Sequence, residues 1–286
     1  MNRDESAPAR VAVAIIAQDE EERLPGCLKS VSFADDVVVV DSGSRDRTVA
    51  VAQSAGARVF VEPWQGFSAQ KQLAVDRCAH DWVLILDADE RVSKETAAAI
   101  RRALGSGNAY AGAYSFCRRN CFHGRWIRHA GWWPDRIVRL VDRRQGAFDG
   151  RTVHERWVTR GKELALDAVI DHYSFQDYSD LVDKMERYSS LAARSLFDEG
   201  KRAGPFAPAM HGLWMFFRTY LLERGMLDGF DGFVIAVMNA GGSFLKYAKL
   251  RELAMSFEGD GRGRSGRNGS MPGGTGVGPF RDENSA

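Results

Sequence analysis

The sequence has almost no net charge, few cysteines and no long apolar run. Lys and Arg number 39 against 38 Asp and Glu among 286 residues, which gives a formal net charge of +1. This balance argues neither for nor against nucleic acid as a partner. Four cysteines are typical of a protein from a reducing compartment. No apolar stretch reaches the roughly 18 residues that a membrane-spanning helix needs, so we expect no such helix.

Two common nucleotide-binding signatures are also missing. No Gly-x-Gly-x-x-Gly motif follows the first apolar run, Val11 to Ala17, and the sequence has no Gly-Lys-Ser/Thr loop. This disfavours a dinucleotide dehydrogenase and a P-loop enzyme. Residues 1–10 carry charges of both signs and no apolar segment, so we expect a flexible N-terminus and no signal peptide.

The most informative feature present is an apolar run that ends on acids. Trp82 to Leu86 is followed by Asp87, Ala88, Asp89 and Glu90. Such a run predicts a strand buried on both faces, and open α/β sheets bind ligands beyond the carboxyl ends of their strands. Because Asp87 and Asp89 are two residues apart, their side chains share one side, where a metal cation with a phosphate ligand would offset their charge. Alone the motif is a weak signal, since acids after a strand often only cap a helix or solvate a loop.

The same pattern occurs twice upstream. Residues 37–40 run into Asp41 and a glycine turn, and residues 11–17 are followed by Gln18, Asp19 and Glu20. Three predicted strands therefore bring carboxylates to one edge of a sheet. At such an edge Asp41 and Asp87 suit a base and a ribose, and Asp89 suits a metal.

Strand and helix patterns alternate through the first third of the chain. The predicted strands are 11–17, 37–40, 58–61 and 82–86. One predicted helix ends near Ser30, and three others cover about 47–55, 68–79 and 94–104, the last of which is capped by Ser93. This alternation predicts the α/β class with a Rossmann-like, mostly parallel sheet and a C-terminal helical region. The expected divisions are a flexible segment at 1–10, an α/β domain at 11–176, a helical region at 177–257 and a disordered Gly-rich tail at 258–286.

Two stretches of the helical region lack charge. Residues 205–217 and 232–245 are too short to span a bilayer. They fit either core helices or helices that rest on a membrane surface. In the second case flanking basic residues would face lipid phosphates: Arg218, Arg224, Lys246 and Lys249.

Several motifs resemble the nucleotide-sugar domain of family-2 glycosyltransferases. They are Val13 to Ile16 leading to Glu20, Val39 to Thr48, and Leu86 to Asp89. A second set is similar to the branch of lipopolysaccharide inner-core beta-1,4-glucosyltransferases: Trp64 to Phe67, Asp87 to Val92, Trp133 to Asp135 with Arg139 and Leu140, Val153 to Glu155, and His211 to Gly229. The resemblance spans about Ala12 to Arg251. One departure is Gln18-Asp19-Glu20, where the family usually has Lys-Asn-Glu.

The resemblance implies a GT-A fold, a UDP-sugar donor, a divalent cation (Mg²⁺ or Mn²⁺) and inversion of the sugar by a single displacement. Asp41 would contact the uracil end, Asp87 the ribose and Asp89 the cation. Lys71 and Glu20 are further candidates for nucleotide contact. The implied reaction moves a hexose, glucose first, onto a lipopolysaccharide core or related glycan, by a cytoplasmic protein that can lie on the inner face of the bacterial inner membrane.

A direct displacement also needs a base near the acceptor hydroxyl. Between Arg118 and Arg160 the chain has eleven Arg but only four acids. We favour Glu155 as the base and Asp135 as the second candidate, with His154 as a metal or phosphate contact. The alternative is that Glu155 only pairs with a neighbouring Arg.

The Arg residues of this segment are interleaved with Trp, and three kinds of surface fit that pattern. No known nucleic-acid motif is present, so no nucleic-acid partner is expected. A phosphorylated or lipid-linked glycan acceptor fits Arg forks and Trp faces at least as well. A solvated face with a few buried Trp anchors is the third reading.

Two other functional classes compete with the transferase. Haloacid-dehalogenase-type phosphohydrolases also place Asp-x-Asp after a strand, but they have Thr or Val two positions later, where this chain has Arg91. A non-catalytic basic module that docks on membranes or polyanions would give no reason for three strands that end in acids.

Overall fold

The computed structural model describes residues 9–106, 110–150, 155–175 and 177–265, with side chains up to residue 257. The N-terminal half alternates strands and helices: β1 (Val11–Ala17), α1 (Leu24–Ser30), β2 (Asp36–Asp41), α2 (Thr48–Ser54), β3 (Arg58–Val61), α3 (Phe67–Arg77), β4 (Trp82–Asp87), β5 (Glu90–Val92) and α4 (Lys94–Gly105). Further strands follow: β6 (Ala111–Phe122), β7 (Arg125–Trp126), β8 (Asp135–Asp142), β9 (Gly146–Phe148), β10 (Trp157–Thr159) and β11 (Lys162–Phe175).

The main sheet has the strand order β3-β2-β1-β4-β8-β6-β11-β5. The first four strands are parallel, β8 runs antiparallel to both β4 and β6, and β11 runs parallel to β6. The predicted α/β fold with a C-terminal helical region is confirmed. The sheet is mixed, because the parallel order that the sequence indicated ends at β4.

Both faces of the parallel part are covered, as its apolar strands predicted. In β1, Val11, Val13 and Ile15 pack in one buried apolar cluster, whereas Ala12 and Ala14 pack in another on the opposite face. Alternating side chains on a strand point to opposite faces, so a strand that is apolar throughout needs two such layers.

The register brings the carboxyl ends of three strands together. Ala17 lies opposite Asp41, and Ile16 lies opposite Asp87. The acids that follow β1, β2 and β4 therefore meet at one edge of the sheet.

The C-terminal part is helical: α5 (Tyr178–Asp198), α6 (Ala207–Phe217), a π-helical turn (Arg218–Leu222), a 3₁₀ turn (Gly225–Asp228) and α7 (Gly229–Ser265). Helices α6 and α7 form a hairpin, with Phe216 against Phe233. At its tip a Cβ on Gly232 would lie 1.8 Å from the carbonyl oxygen of Gly225, so only glycine fits this crossing.

Helix α7 continues to Ser265, past the predicted start of the tail at residue 258, and the remainder of that predicted tail lies outside the described residues. Within the described ranges, no helix combines the length and the apolar character needed to cross a membrane.

Candidate active site

Asp41, at the end of β2, holds the turn that follows it. The residue is fully buried, and its Oδ1 accepts hydrogen bonds from the amides of Gly43 and Ser44, each at 2.9 Å. Its Oδ2 accepts from the Ser44 hydroxyl. Gly43 has φ +90°, a conformation that glycine adopts without strain. The carboxylate therefore shapes the loop at the sheet edge.

Lys71 joins two predicted site residues that are far apart in the sequence. It projects from α3, and its Nζ lies 2.9 Å from Oδ1 of Asp87 and 2.8 Å from Oε1 of Glu155. Only 5% of the Lys71 side chain is exposed. Burial lowers the pKa of Lys71, but the charges of Asp87 and Glu155 outweigh it and hold the pKa above its ordinary value. Lys71 is thus a buried ammonium between two carboxylates.

Arg139, on β8, provides a second cation for the same carboxylate. Its Nη2 donates hydrogen bonds to Oδ2 of Asp87 and to Oε1 of Glu90, both at 2.7 Å. Burial raises the pKa of Asp87, yet Lys71 and Arg139 together hold it well below its usual range. Asp87 is therefore a fixed anion with both oxygens engaged.

Glu90 is a site residue that the sequence did not single out. Its side chain is fully buried and pairs with Arg139, and its Oε2 accepts a hydrogen bond from the amide of Asp87 at 3.1 Å. Glu90 stands in the acid run after β4, where spacing alone cannot distinguish a solvated acid from a buried one. A buried carboxylate with these partners fixes both Arg139 and the backbone of Asp87.

Asp89 has one oxygen without a partner in the described structure. Its Oδ1 is buried and makes no hydrogen bond there, while Oδ2 lies 3.3 Å from Nε2 of His172 on β11. Burial raises the pKa of Asp89, but His172 outweighs this effect and the net shift is downward. A buried, unpartnered carboxylate oxygen is costly unless a cation or donor meets it.

The orientation of His172 follows from its other neighbours. Its Nδ1 lies 2.6 Å from Oδ1 of Asn120, and Nδ2 of Asn120 donates to the carbonyl of Trp132 at 3.0 Å. The Trp132 carbonyl fixes the amide orientation, so Asn120 presents an acceptor and Nδ1 of His172 carries the proton, an assignment that rests on this network. Nε2 is then the nitrogen that faces Asp89: it donates to the carboxylate when the ring is protonated and offers a lone pair to a cation when the ring is neutral. Local sequence gave no signal for this histidine.

Glu20 follows β1 and lies beside the same site. Its Oε2 is 3.5 Å from Nη1 of Arg23, and its amide donates to Oγ1 of Thr48 at 2.8 Å. Burial raises the pKa of Glu20 to about 7; Arg23 opposes the shift and Asp89 adds to it. A carboxylate whose charge is disfavoured in the folded state destabilises that state when it ionises.

Glu20→Gln is expected to stabilise the protein at pH 8 by roughly 1–3 kcal/mol and to change nothing near pH 4. The folded pKa exceeds the ordinary value of 4.5, so the folded state loses stability as the pH rises from about 4.5 through 7, and the amide removes that loss. Urea unfolding at several pH values measures the difference. Glu252→Gln, at an exposed position of α7, is the control, and an equal gain in both variants would contradict the assignment.

The two candidate bases differ in their partners. Glu155 meets Lys71 rather than the neighbouring Arg of the alternative reading, and 17% of its side chain is exposed. Asp135 begins β8, and its Oδ2 accepts from Nε and Nη2 of Arg118 at 2.9 and 2.7 Å. His154 lies outside the described residues. The structure thus brings Glu155 next to Asp87, whereas Asp135 faces the site through Arg118.

Comparisons with known proteins identify the family of the chain. A family model described as glycosyl transferase family 2 matches residues 12–162. The chain belongs to glycosyltransferase family 2. It is 34% identical over 258 residues to an uncharacterized glycosyltransferase of Rickettsia typhi, covering 86% of this chain and 88% of that one. It is 31% identical to the lipopolysaccharide core biosynthesis glycosyltransferase LpsC of Rhizobium meliloti over 252 residues, covering 82% and 90% of the two chains.

A solved structure is also similar to this family-2 glycosyltransferase. Glucosyl-3-phosphoglycerate synthase from Mycobacterium tuberculosis, in complex with Mn²⁺, UDP and phosphoglyceric acid, has a TM-score of 0.32 and 20% identity. The match covers 42% of this chain and 45% of that one. The predicted family and the prediction of an enzyme are confirmed by the family model and the relatives, so the phosphohydrolase and the docking module are set aside.

Proposed function

We propose that this glycosyltransferase moves a hexose, with glucose as the leading candidate, from a UDP-sugar to a lipopolysaccharide core or related glycan. The proposed transfer inverts the sugar and uses a divalent cation. The observation that carries the proposal is the meeting of Asp87, Asp89, His172 and Glu155 at the carboxyl edge of the sheet. The name of the Rhizobium meliloti relative supports the lipopolysaccharide core as acceptor.

The residues present fit a cation held by Asp89 and His172. Asp89 offers a buried oxygen without a partner, and His172 offers a lone pair 3.3 Å from the other oxygen. Adjacent ligands of an octahedral Mg²⁺ are about 3 Å apart, so this separation suits two neighbouring positions. No described group of three or more His, Cys, Asp or Glu forms a complete cage, which suits a cation completed by a diphosphate and water. When bound, the cation would offset charge on the departing diphosphate.

The nucleotide half of the site is assigned to Asp41, Asp87, Lys71 and Glu20. Asp87 is the anion suited to ribose hydroxyls, since Lys71 and Arg139 keep it ionised. Lys71 and Arg139 also bring two positive charges to the place where a diphosphate would lie. Asp41 acts at the uracil end through the loop that it shapes.

Glu155 is the proposed base, which takes the proton from the acceptor hydroxyl. Its carboxylate is paired with the Lys71 ammonium at 2.8 Å, so it is engaged until that group moves. Movement of the Lys71 ammonium toward the nucleotide phosphates would free Glu155 to accept the proton of the acceptor hydroxyl. Asp135 is the weaker candidate because one guanidinium holds it by two hydrogen bonds.

UDP is expected to bind the wild-type protein, and Mn²⁺ or Mg²⁺ is expected to tighten that binding at least about tenfold, since the unpartnered oxygen of Asp89 would otherwise face the diphosphate without a cation. Isothermal titration with UDP, with and without each cation, measures the effect, and CDP is the matched control ligand. A folded protein that binds no UDP would overturn the donor assignment. A screen of UDP-sugars then identifies the hexose.

The proposed acceptor is a phosphorylated or lipid-linked glycan, which would bring the enzyme to a membrane. The proposed location is the cytoplasmic side of the bacterial inner membrane.

A further inference from the structure

Helix α6, the two turns after it and the start of α7 expose large apolar side chains to solvent. We call this surface the hairpin face. Its most exposed members are Phe206 (79%), Met210 (65%), Leu213 (69%), Leu222 (58%), Leu227 (60%) and Phe230 (69%). Single exposed apolar residues are ordinary, but a contiguous set on one supersecondary unit marks an interaction surface.

The exposure is a consequence of how the hairpin packs. Phe206, Met210, Leu213 and Phe217 recur at spacings of three and four, so they form one stripe along α6. The opposite side of α6 is the packed side, where a Cβ on Gly212 would lie 3.3 Å from α7. The stripe is therefore spare apolar surface, left over after the hairpin has made its own contacts.

The acids of this segment turn inward. Asp228 accepts the amide of His129 at 2.8 Å, and Asp231 lies 3.3 Å from both His123 and Arg125. Glu223, the third acid between residues 205 and 245, pairs with Arg218 at 2.8 Å.

Basic groups stand at the two ends of the hairpin face. Arg202 precedes α6, and Arg224 lies in the tip; both are exposed. In the described segment 198–245 every acid is paired within the protein, with Asp198 held by Arg194 and Glu199 by Lys201, while Arg202 and Arg224 are exposed at the ends. Apolar area with a basic rim complements an anionic lipid surface.

We propose that the hairpin face docks on a bilayer that contains anionic phospholipid, with the hairpin lying in the interface. The proposed docking does not involve a helix that crosses the bilayer, since no helix in the described residues is long and apolar enough. A second copy of the chain is the less favoured occupant, because a two-fold contact pairs a surface with itself and would bring like-charged rims together.

The hairpin tip is tied to the candidate cation site. The amide of Ala130 donates to the carbonyl of Glu223 at 2.9 Å, and the same loop carries Trp132, whose carbonyl orients Asn120. Asn120 in turn orients His172 beside Asp89. Docking would therefore hold the site near lipid-borne acceptors. The inference deepens the proposed function by naming its membrane contact, but its evidence is independent of the reaction.

Cosedimentation with vesicles tests the proposal. Wild type is expected to bind vesicles of phosphatidylcholine with about 30% phosphatidylglycerol more tightly than phosphatidylcholine alone, and less tightly in high salt. Leu213→Glu and Phe230→Glu are each expected to lower the partition coefficient at least about tenfold, because a charge then enters the apolar contact. Val158→Glu, at a 55% exposed apolar position on β10, is the matched control.

Three results would overturn the proposal. The first is wild type that stays in the supernatant with all vesicles, and the second is hairpin variants that bind as wild type does. The third is a dimer in sedimentation velocity that Phe230→Glu dissociates without any vesicle binding, which would assign the face to a second copy. Calorimetry with UDP is expected to give the wild-type result for both hairpin variants, so failure of docking and failure of the donor site are read separately.

Discussion

Asp89→Asn is expected to abolish cation-dependent UDP binding and to lower the transfer rate at least about 10²-fold. The amide has nearly the shape of the carboxylate but lacks the charge that would hold a cation. The buried Oδ1 has no other partner in the described structure, so nothing nearby replaces the lost ligand. Titration of UDP with Mn²⁺ and a rate assay with the preferred UDP-sugar measure both effects.

The fold should be unaffected by this change. Because His172 favours the Asp89 anion in the folded state, loss of this charge is expected to lower the thermal midpoint only slightly. Asp76→Asn, at an exposed position of α3, is the matched control and should behave as wild type. His172→Gln should weaken cation-dependent binding less than Asp89→Asn does, since a neutral ligand is lost. Mn²⁺-dependent binding that survives in Asp89→Asn would place the cation elsewhere.

Glu155→Gln is expected to lower kcat by roughly 10³-fold while UDP affinity changes little. Glutamine fills the same space but cannot accept a proton from the acceptor. Lys71 keeps its contact with Asp87, so the nucleotide half of the site stays in place. Steady-state kinetics, together with calorimetry of UDP, separate the two effects.

The competing base is tested in parallel. Asp135→Asn should leave most of the rate, because that carboxylate already serves Arg118. Glu163→Gln, on an exposed part of β11, controls for the loss of one negative charge. Full kcat in Glu155→Gln together with loss in Asp135→Asn would transfer the role to Asp135.

The parallel part of the fold was predictable because its strands carry a strong local signal. β1, β2 and β4 are short, apolar and covered on both faces; β2 and β4 end on an acid, and acids follow β1, so the element type and the shared edge follow from the pattern. The cap at Ser93 was equally local: its side chain accepts the amide of Thr96.

The later strands gave a contrary signal. β6 and β8 contain charged residues that suggested a surface for acceptors or a solvated face. In the fold some of these charges pair across neighbouring strands, as Arg118 does with Asp135 and Arg119 with Asp171. Opposite charges on adjacent strands are compatible with a long strand, but the pairing depends on residues far apart in sequence.

The same limit applies to the site. Asp87 and Asp89 were evident from their spacing, whereas Lys71 with Glu155 and Asp89 with His172 are contacts between residues about 84 positions apart in both pairs. Periodicity has no access to such distances. Glu90 and Arg139 were also missed as site residues, since a buried ion pair looks like surface composition in a sequence.

The ammonium of Lys71 lies between Asp87 and Glu155, with one contact of 2.9 Å and one of 2.8 Å. If this single cation must leave Glu155 before proton transfer begins, binding of the donor is what makes the base available. An acceptor bound to the enzyme without donor would then not react. For the same reason, a donor analogue that binds without moving Lys71 would leave Glu155 paired and the enzyme inactive. Inhibitors could therefore be designed to keep this lysine in place.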